Sequence, residues 1–191
     1  MIQPESGRDT HAIRYVAFLR AINVGGRTVK MDHLRRLFLG MGFARVETFI
    51  ASGNVIFDAA GTDTAALERA VEAGLQDALG YRVDTFIRTP AELAAVAATW
   101  PFSDADRAAP HTLFIAFLGA PPDEAGIARL MAYTTPVDAF HMDGREVYWL
   151  RRDALGESAF AGGALEKALG MPATVRNRTT VAKIAEKFGI L

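Results

Sequence analysis

Strand and helix patterns follow one another in the order β-α-β-β-α-β over residues 13–100, and the same order then recurs. Strand-like stretches are continuous or alternating in apolar residues, whereas helix-like stretches have apolar residues three and four positions apart. Because strands joined through helices connect by right-handed crossovers, this order predicts a ferredoxin-like sheet. Such a sheet has four antiparallel strands with two helices on one face.

A polar segment bounded by prolines separates the two halves. Its sequence, PFSDADRAAP, is typical of a linker. The stretch AFLRA (17–21) of the first predicted strand returns as AFLGA (116–120) in the strand after that linker. The sequence therefore predicts an α+β chain of two tandem ferredoxin-like (alpha-beta plait) subdomains. The predicted units are a disordered tail, the first subdomain, the linker and the second subdomain with a C-terminal helix, over residues 1–12, 13–100, 101–110 and 111–191.

Composition excludes several kinds of chemistry. The 191 residues carry a formal net charge of -1, so no overall charge attracts the chain to nucleic acid or to an anionic membrane. There is no cysteine, which excludes disulfides, a thiolate nucleophile and Cys-ligated metal. The histidines show no metal-ligand spacing, and no apolar run approaches the roughly 20 residues that span a bilayer. We expect a cytoplasmic protein with no metal, cofactor or membrane partner.

The segment after the first predicted strand is a candidate anion-binding loop. It reads FLRAINVGGRTVKM over residues 18–31. Gly25 and Gly26 free backbone N–H groups to face an anion, and Arg27 and Lys30 add positive charge. The spacing matches neither a P-loop nor a dinucleotide-binding turn. A tight turn with solvated cations accounts for the same residues, so this segment alone leaves both interpretations open.

The predicted topology brings a second motif to that loop. The end of the first strand and the hairpin between the second and third strands lie at one end of the sheet. We therefore expect Asn23 and its loop to lie close to the predicted hairpin turn Ser52-Gly53-Asn54. The needs of a hairpin turn also account for this tripeptide by itself.

Two basic positions complete the candidate site. Arg20 lies near the end of a strand predicted to be central, where a cation needs a carboxylate or a ligand; a salt bridge is our first interpretation. Arg176 and Asn177 precede the last helix, which Asn177 or a following threonine would cap, unless the cluster contacts an anion. The candidate ligand-binding residues are Arg20, Asn23, Gly25, Gly26, Arg27, Lys30, Ser52, Gly53, Asn54, Arg176 and Asn177.

Two segments of the chain resemble the bacterial domain of unknown function 1697 family. They are FLRAINVGGRTVKMDHLRRLFLGMGFARVETFIASGNVIF and LEKALGMPATVRNRTTVAKIAE. The resemblance implies a pair of ferredoxin-like subdomains and implies no particular reaction. This chain has Ala21, Ala51 and Arg178 where the family usually has glycine, glutamine and tryptophan, which puts any stacking role of that tryptophan in doubt here.

These observations favour a binding module for a small anionic or phosphate-bearing ligand at the loop–hairpin end of the first subdomain. One alternative is an enzyme acting on a small anionic substrate oriented by Arg20, Asn23 and Asn54, although no general base or nucleophile is evident. Another is an oligomeric interaction protein or a weak RNA binder. The pI of about 6.4 and the lack of an RNA-binding aromatic consensus argue against a nucleic-acid partner.

Overall fold

The computed structural model describes residues 12–23 and 28–190 and shows a mixed α+β chain. Within these ranges the chain forms two four-stranded antiparallel sheets and seven α-helices, none of which is long and apolar enough to cross a membrane. The predicted tail lies outside the described residues except for Ala12. In chain order the elements are β1 (Ile13–Leu19), α1 (Met31–Gly40), β2 (Ala44–Phe49), β3 (Asn54–Ala59), α2 (Thr64–Leu79), β4 (Thr85–Arg88), α3 (Pro90–Ala98), α4 (Asp104–Ala108), β5 (Thr112–Leu118), α5 (Glu124–Met131), β6 (Asp138–Asp143), β7 (Glu146–Arg151), a 3-10 helix (Asp153–Leu155), α6 (Gly162–Leu169), β8 (Ala173–Asn177) and α7 (Arg178–Lys187).

Both sheets have the same strand order. The first sheet runs β2-β3-β1-β4 and the second runs β6-β7-β5-β8. In the first sheet Phe18 of β1 is opposite Asn54 of β3, and in the second Phe117 of β5 is opposite Glu146 of β7. The repeated order predicted from the sequence is confirmed, and the registers make Phe18 equivalent to Phe117 and Asn54 equivalent to Glu146.

The two sheets face each other, and each carries helices on its outer face. Along β1, Tyr15 and Leu19 point toward α1 and α2, whereas Val16 and Phe18 point toward the second sheet. This alternation follows from the two-residue period of a strand. Helices α5 and α6 cover the outer face of the second sheet, and α3 and α7 pack between the sheets.

Side-chain caps explain where several helices begin. Asp63 caps α2, and Thr89 forms a capping box with Glu92 at the start of α3. The side chain of Asn177 accepts a hydrogen bond from the Thr179 N–H and caps α7. The sequence interpretation of Asn177 as a helix cap is confirmed.

An aromatic stack lies at the centre of the interface between the sheets. The rings of Phe18 and Phe117 are 4.0 Å apart at their centroids and only 9° from parallel. Both residues are buried. Because the two rings occupy equivalent positions in their sheets, contacts on one side of the stack have counterparts on the other.

Two equivalent arginines make those reciprocal contacts. Arg88 is opposite Val16 in the first sheet, and Arg176 is opposite Ile115 in the second. The Arg88 guanidinium lies over the ring of Phe117, at 5.4 Å from its centroid. That of Arg176 lies over the Phe18 ring, at 5.8 Å. Each arginine therefore reaches from the last strand of one sheet into the other sheet.

Arg88 is fully buried and holds the strand end and hairpin of the second sheet. Its Nη2 donates to the carbonyl oxygens of Leu118, at 2.9 Å, and Arg145, at 3.2 Å. Its Nε donates to Glu146 Oε1 at 2.5 Å. Burial lowers the pKa of the Arg88 guanidinium, and the Glu146 carboxylate acts in the opposite direction. This end of the interface, which we call the Arg88 end, has a paired charge.

Removing that carboxylate tests the pairing. We expect Glu146→Gln to lower the free energy of unfolding by about 2–4 kcal/mol, because the buried Arg88 charge then has only a neutral partner at this position. Urea denaturation followed by circular dichroism measures the change.

The matched control is Glu157→Gln, which neutralises an exposed glutamate. It should change stability by no more than about 0.5 kcal/mol. Equal effects of the two substitutions would contradict a structural role for the Arg88–Glu146 pair.

Candidate functional site

A cavity of about 800 Å³ lies where the sheets meet at the end opposite to Arg88. Its walls come from the segment after β1, the β2–β3 hairpin, strand β8 and the start of α6. Four of the predicted site residues line it: Arg20, Asn23, Ser52 and Arg176. We call this end of the interface the Arg176 end.

Asn23 ties the segment after β1 to the hairpin. Its Nδ2 donates to the Ala51 carbonyl oxygen at 2.9 Å, and its Oδ1 accepts from the Val29 N–H at 2.5 Å. The predicted proximity of Asn23 and the hairpin is confirmed. Both groups of the Asn23 amide are thereby engaged within the protein.

The hairpin turn begins two residues earlier and ends one residue earlier than predicted. Strand β2 ends at Phe49 and residues 50–53 form the turn, so Asn54 opens β3 instead of belonging to the turn. The reason is the backbone: Ile50 has a φ of 50°, which takes the chain out of the strand before Ser52, and Gly53 has a φ of 75° at the end of the turn. Strand pairing then resumes with Asn54 opposite Phe18.

Gly53 is a close-packing position. Its carbonyl oxygen accepts from the Leu19 N–H at 2.8 Å, which brings the turn against the end of β1. A Cβ at this position would lie 2.3 Å from Ile22 Cγ2. Both the positive φ and the absence of a side chain are therefore required here.

Asn54 is buried and connects the two sheets. Its Nδ2 donates to the Phe49 carbonyl oxygen and to Ser52 Oγ, each at 2.9 Å. Its Oδ1 accepts from Arg176 Nε at 2.6 Å. Asn54 thus orients the arginine and leaves the Ser52 hydroxyl hydrogen available to a further acceptor.

Arg176 donates to protein oxygens from all three of its nitrogens. Nη2 donates to the carbonyl oxygens of Leu19 and Ser52, and Nη1 to Thr174 Oγ1 and to the Val175 carbonyl oxygen, all at 2.8–2.9 Å. The side chain thereby fixes the end of β1 and the hairpin, as Arg88 does in the second sheet.

The charge of Arg176 has no carboxylate partner in the described part of the chain. All its acceptors are neutral, and burial alone lowers its pKa to about 10. The residue is only 8% exposed. Burying a charge without an opposite charge is costly. At the Arg88 end the equivalent of Asn54 is Glu146, so the two ends differ by one negative charge at this position.

Arg20 forms the salt bridge expected from the sequence. Its Nε and Nη2 donate to the Glu166 carboxylate at 2.5 and 2.9 Å, and its Nη1 donates to Asp84 at 3.3 Å. Burial raises the pKa of Glu166, but the hydrogen bonds from Arg20 and from the Ala173 N–H together with the Arg20 charge outweigh this, so the pKa lies below its ordinary value. The Arg20 charge is therefore compensated within the protein.

The remaining predicted residues do not line the cavity or lie outside the described ranges. Lys30 is exposed immediately before α1, and Asn177 lines a separate cavity of about 140 Å³. Gly25, Gly26 and Arg27 are among residues 24–27, which the structure does not describe.

Two glycines at the start of α6 line the cavity but were not predicted from the sequence as site residues. Gly162 and Gly163 line the cavity, and the residue before them, Ala161, provides no side-chain cap. Their N–H groups find no acceptor within residues 12–23 and 28–190. Such groups at a helix start favour an anion. A Gly-Gly pair before a helical pattern was the available signal.

Backbone strain is concentrated around the cavity. Ala21, Asn23 and Ile50 line it, and all three have positive φ, between 50° and 60°. Such conformations cost energy for residues other than glycine and tend to occur at functional sites. At position 21 the family that this chain resembles usually has glycine, which adopts this conformation without strain.

Substitution can separate the two requirements at Gly53, which are its positive φ and its close contact with Ile22. Gly53→Ala should lower the free energy of unfolding by about 2–4 kcal/mol, because the new Cβ is both strained by φ and in conflict with Ile22. The matched control is Gly61→Ala, where φ is 88° and nothing lies within 4 Å of the added Cβ.

The control should cost only about 1 kcal/mol, from backbone strain alone. Thermal unfolding of both variants measures the difference. Equal destabilisation would show that the contact between Gly53 and Ile22 does not matter.

Comparison with known proteins supports the fold and the family. The family described as protein of unknown function (DUF1697) matches residues 13–148, so the match ends before the C-terminal segment that also resembles it. No curated protein sequence matches significantly. The structure of the conserved bacterial protein SP0830 from Streptococcus pneumoniae is similar with a TM-score of 0.69 and 22% identity, over 92% of this chain and 98% of that chain.

The SP0830 similarity, at this level of identity, concerns the fold alone. The family match covers well over half of the chain, and it includes both the β1–α1 segment and the hairpin. The resemblance predicted from the sequence is confirmed: the chain belongs to the DUF1697 family of proteins of unknown function.

Proposed function

We propose that this protein is a binding module for a small anionic ligand, which it holds in the cavity at the Arg176 end. The observation that carries the proposal is the unequal charge of the two equivalent ends. Arg88 has the Glu146 carboxylate as its partner, whereas Arg176 has the Asn54 amide and lies at the wall of a cavity. An anion in that cavity supplies the charge that the protein itself provides at the Arg88 end.

The cavity offers donors as well as charge. The Ser52 hydroxyl and the N–H groups of Gly162 and Gly163 line it without acceptors among the described residues. Because all three Arg176 nitrogens already donate to the protein, its role toward the ligand is electrostatic. Hydrogen bonds to the anion come from these other donors.

Binding is favoured over catalysis by the titratable groups present. Among the described lining residues these groups are Arg20 and Arg176, and both are cations. Neither can act as a general base at neutral pH. We therefore place the enzyme hypothesis second.

We propose that each sheet with its outer helices is a ferredoxin-like subdomain, over residues 13–100 and 111–191, joined by a linker over 101–110. The strand orders β2-β3-β1-β4 and β6-β7-β5-β8 support this division. We also propose that the protein acts in the cytoplasm, as its lack of cysteine suggests.

Thermal unfolding in the presence of anions tests the binding function. We expect phosphate, pyrophosphate or simple carboxylates, at constant ionic strength, to stabilise the protein by about 2.7 kcal/mol at a hundredfold excess over Kd. Asn54→Asp places a carboxylate beside Arg176, as Glu146 is placed beside Arg88. It should reduce this stabilisation severalfold, because the anion is then no longer needed to balance the charge.

The control is Gln76→Glu, which makes the same change of charge on an exposed position of α2. It should respond to anions as the unmodified protein does. The proposal is wrong if no anion stabilises the protein, or if the two variants respond equally.

A further inference from the structure

The outer edge of β4 is closed by two glutamates of α2. Glu72 accepts from the Thr85 N–H at 2.9 Å, and Glu68 accepts from the Ile87 N–H at 2.7 Å. Glu68 is buried, and burial raises its pKa, although the nearby charges of Arg145 and Arg88 oppose the increase. The Glu68 carboxylate thus accepts a hydrogen bond from an N–H at the edge of β4 and adds negative charge near Arg88.

Among the described residues, the equivalent edge of β8 has a counterpart of the Glu72 contact and none of the Glu68 contact. Glu166 of α6 accepts from the Ala173 N–H at 2.8 Å, as Glu72 does at Thr85. Ala173 and Thr85 are equivalent, because they are opposite Leu118 and Leu19 at the ends of β5 and β1. Four residues before Glu72 is Glu68, and four residues before Glu166 is Gly162. One helical turn before the shared glutamate, α2 therefore has a carboxylate where α6 has a glycine, which has no side chain.

The edge of β8 has a strand N–H equivalent to the Ile87 N–H that donates to Glu68 at the edge of β4. N–H groups along an antiparallel edge strand point alternately toward the paired strand and away from it. Since the Ala173 N–H points away from β5 to Glu166, the Val175 N–H also points away. None of the described residues accepts from it. Val175 lines the cavity together with Gly162 and Arg176.

Resting on the proposed function, we infer that the ligand is a small carboxylic acid whose carboxylate takes, beside β8, the place that the Glu68 carboxylate has beside β4. One carboxylate oxygen accepts from the Val175 N–H. The negative charge lies near Arg176, which has no carboxylate partner among the described residues. The geometry at β4 demonstrates that a carboxylate fits between such a helix and such a strand.

The remaining space suits an apolar body on this acid. Seven of the fourteen described lining residues have apolar side chains, and Ile50 among them is 53% exposed. Removing such an exposed apolar side chain from water by covering it with a ligand is favourable. Beyond the carboxylate, an alkyl or aryl group therefore fits better than a sugar or a second charge.

The position of the carboxylate is tested by supplying one from the protein. Gly162→Glu places a tethered carboxylate at the equivalent of Glu68, and we expect it to weaken binding of hexanoate at least tenfold, measured by isothermal titration calorimetry. Ala161→Glu is the control, because Ala161 is exposed, lies next to Gly162 and does not line the cavity. It should change the affinity no more than about threefold.

The nature of the ligand is tested on the unmodified protein, so a variant that fails to fold does not decide the outcome. Acetate, butyrate and hexanoate should bind with affinities that rise up to about fourfold for each buried methylene. Hexanol, which lacks the charge, and hexyl phosphate, which has a larger head, should bind at least tenfold more weakly than hexanoate.

The outcomes separate this inference from the proposed function. Equal affinities for acetate and hexanoate, tighter binding of hexyl phosphate, or equal effects of the two glutamate variants would overturn the carboxylic-acid inference and leave anion binding standing. Binding of hexanol as tightly as hexanoate would overturn anion binding itself. Absence of binding by any of the anions would overturn both.

Discussion

The buried guanidinium groups of Arg88 and Arg176 connect the two sheets by donating to main-chain carbonyl oxygens at strand ends of the opposite sheet. An arginine in such a place must keep its acceptors, because an unpaired buried donor costs a large part of a small domain's stability. Each strand end and its adjoining hairpin are thereby held against the other sheet. The walls of the cavity come from both sheets, so its shape depends on these bonds.

The two ends of the interface have the same architecture and differ in charge. The buried arginine has a carboxylate partner at the Arg88 end and has none among the described residues at the Arg176 end. Two carboxylates, Glu146 and Glu68, lie near Arg88. The equivalent places near Arg176 hold the Asn54 amide and the bare backbone of Gly162. Within the described residues, the Arg176 end therefore lacks the two acidic side chains that the Arg88 end has. Both ends have a buried arginine and an edge-strand N–H that points away from the paired strand.

The sequence predicted the repeat, the cap at Asn177 and the meeting of Asn23 with the hairpin because each depends on local pattern or on strand order. It did not predict the partners of Arg176 in the first half of the chain, which lie more than a hundred residues away and are mostly main-chain oxygens. No residue type marks such an acceptor. The turn begins two residues earlier than predicted because Ile50 adopts a positive φ, which β-branched residues rarely do.

The reciprocal contacts around the Phe18–Phe117 stack have the form of a two-fold symmetric dimer contained in a single chain. In a true homodimer of that kind, each residue is present twice, so every substitution changes both ends of the interface together. Here the two ends are encoded separately. The Arg88 end can therefore have an acidic partner where the Arg176 end has an amide, a difference between the two ends that identical subunits cannot have.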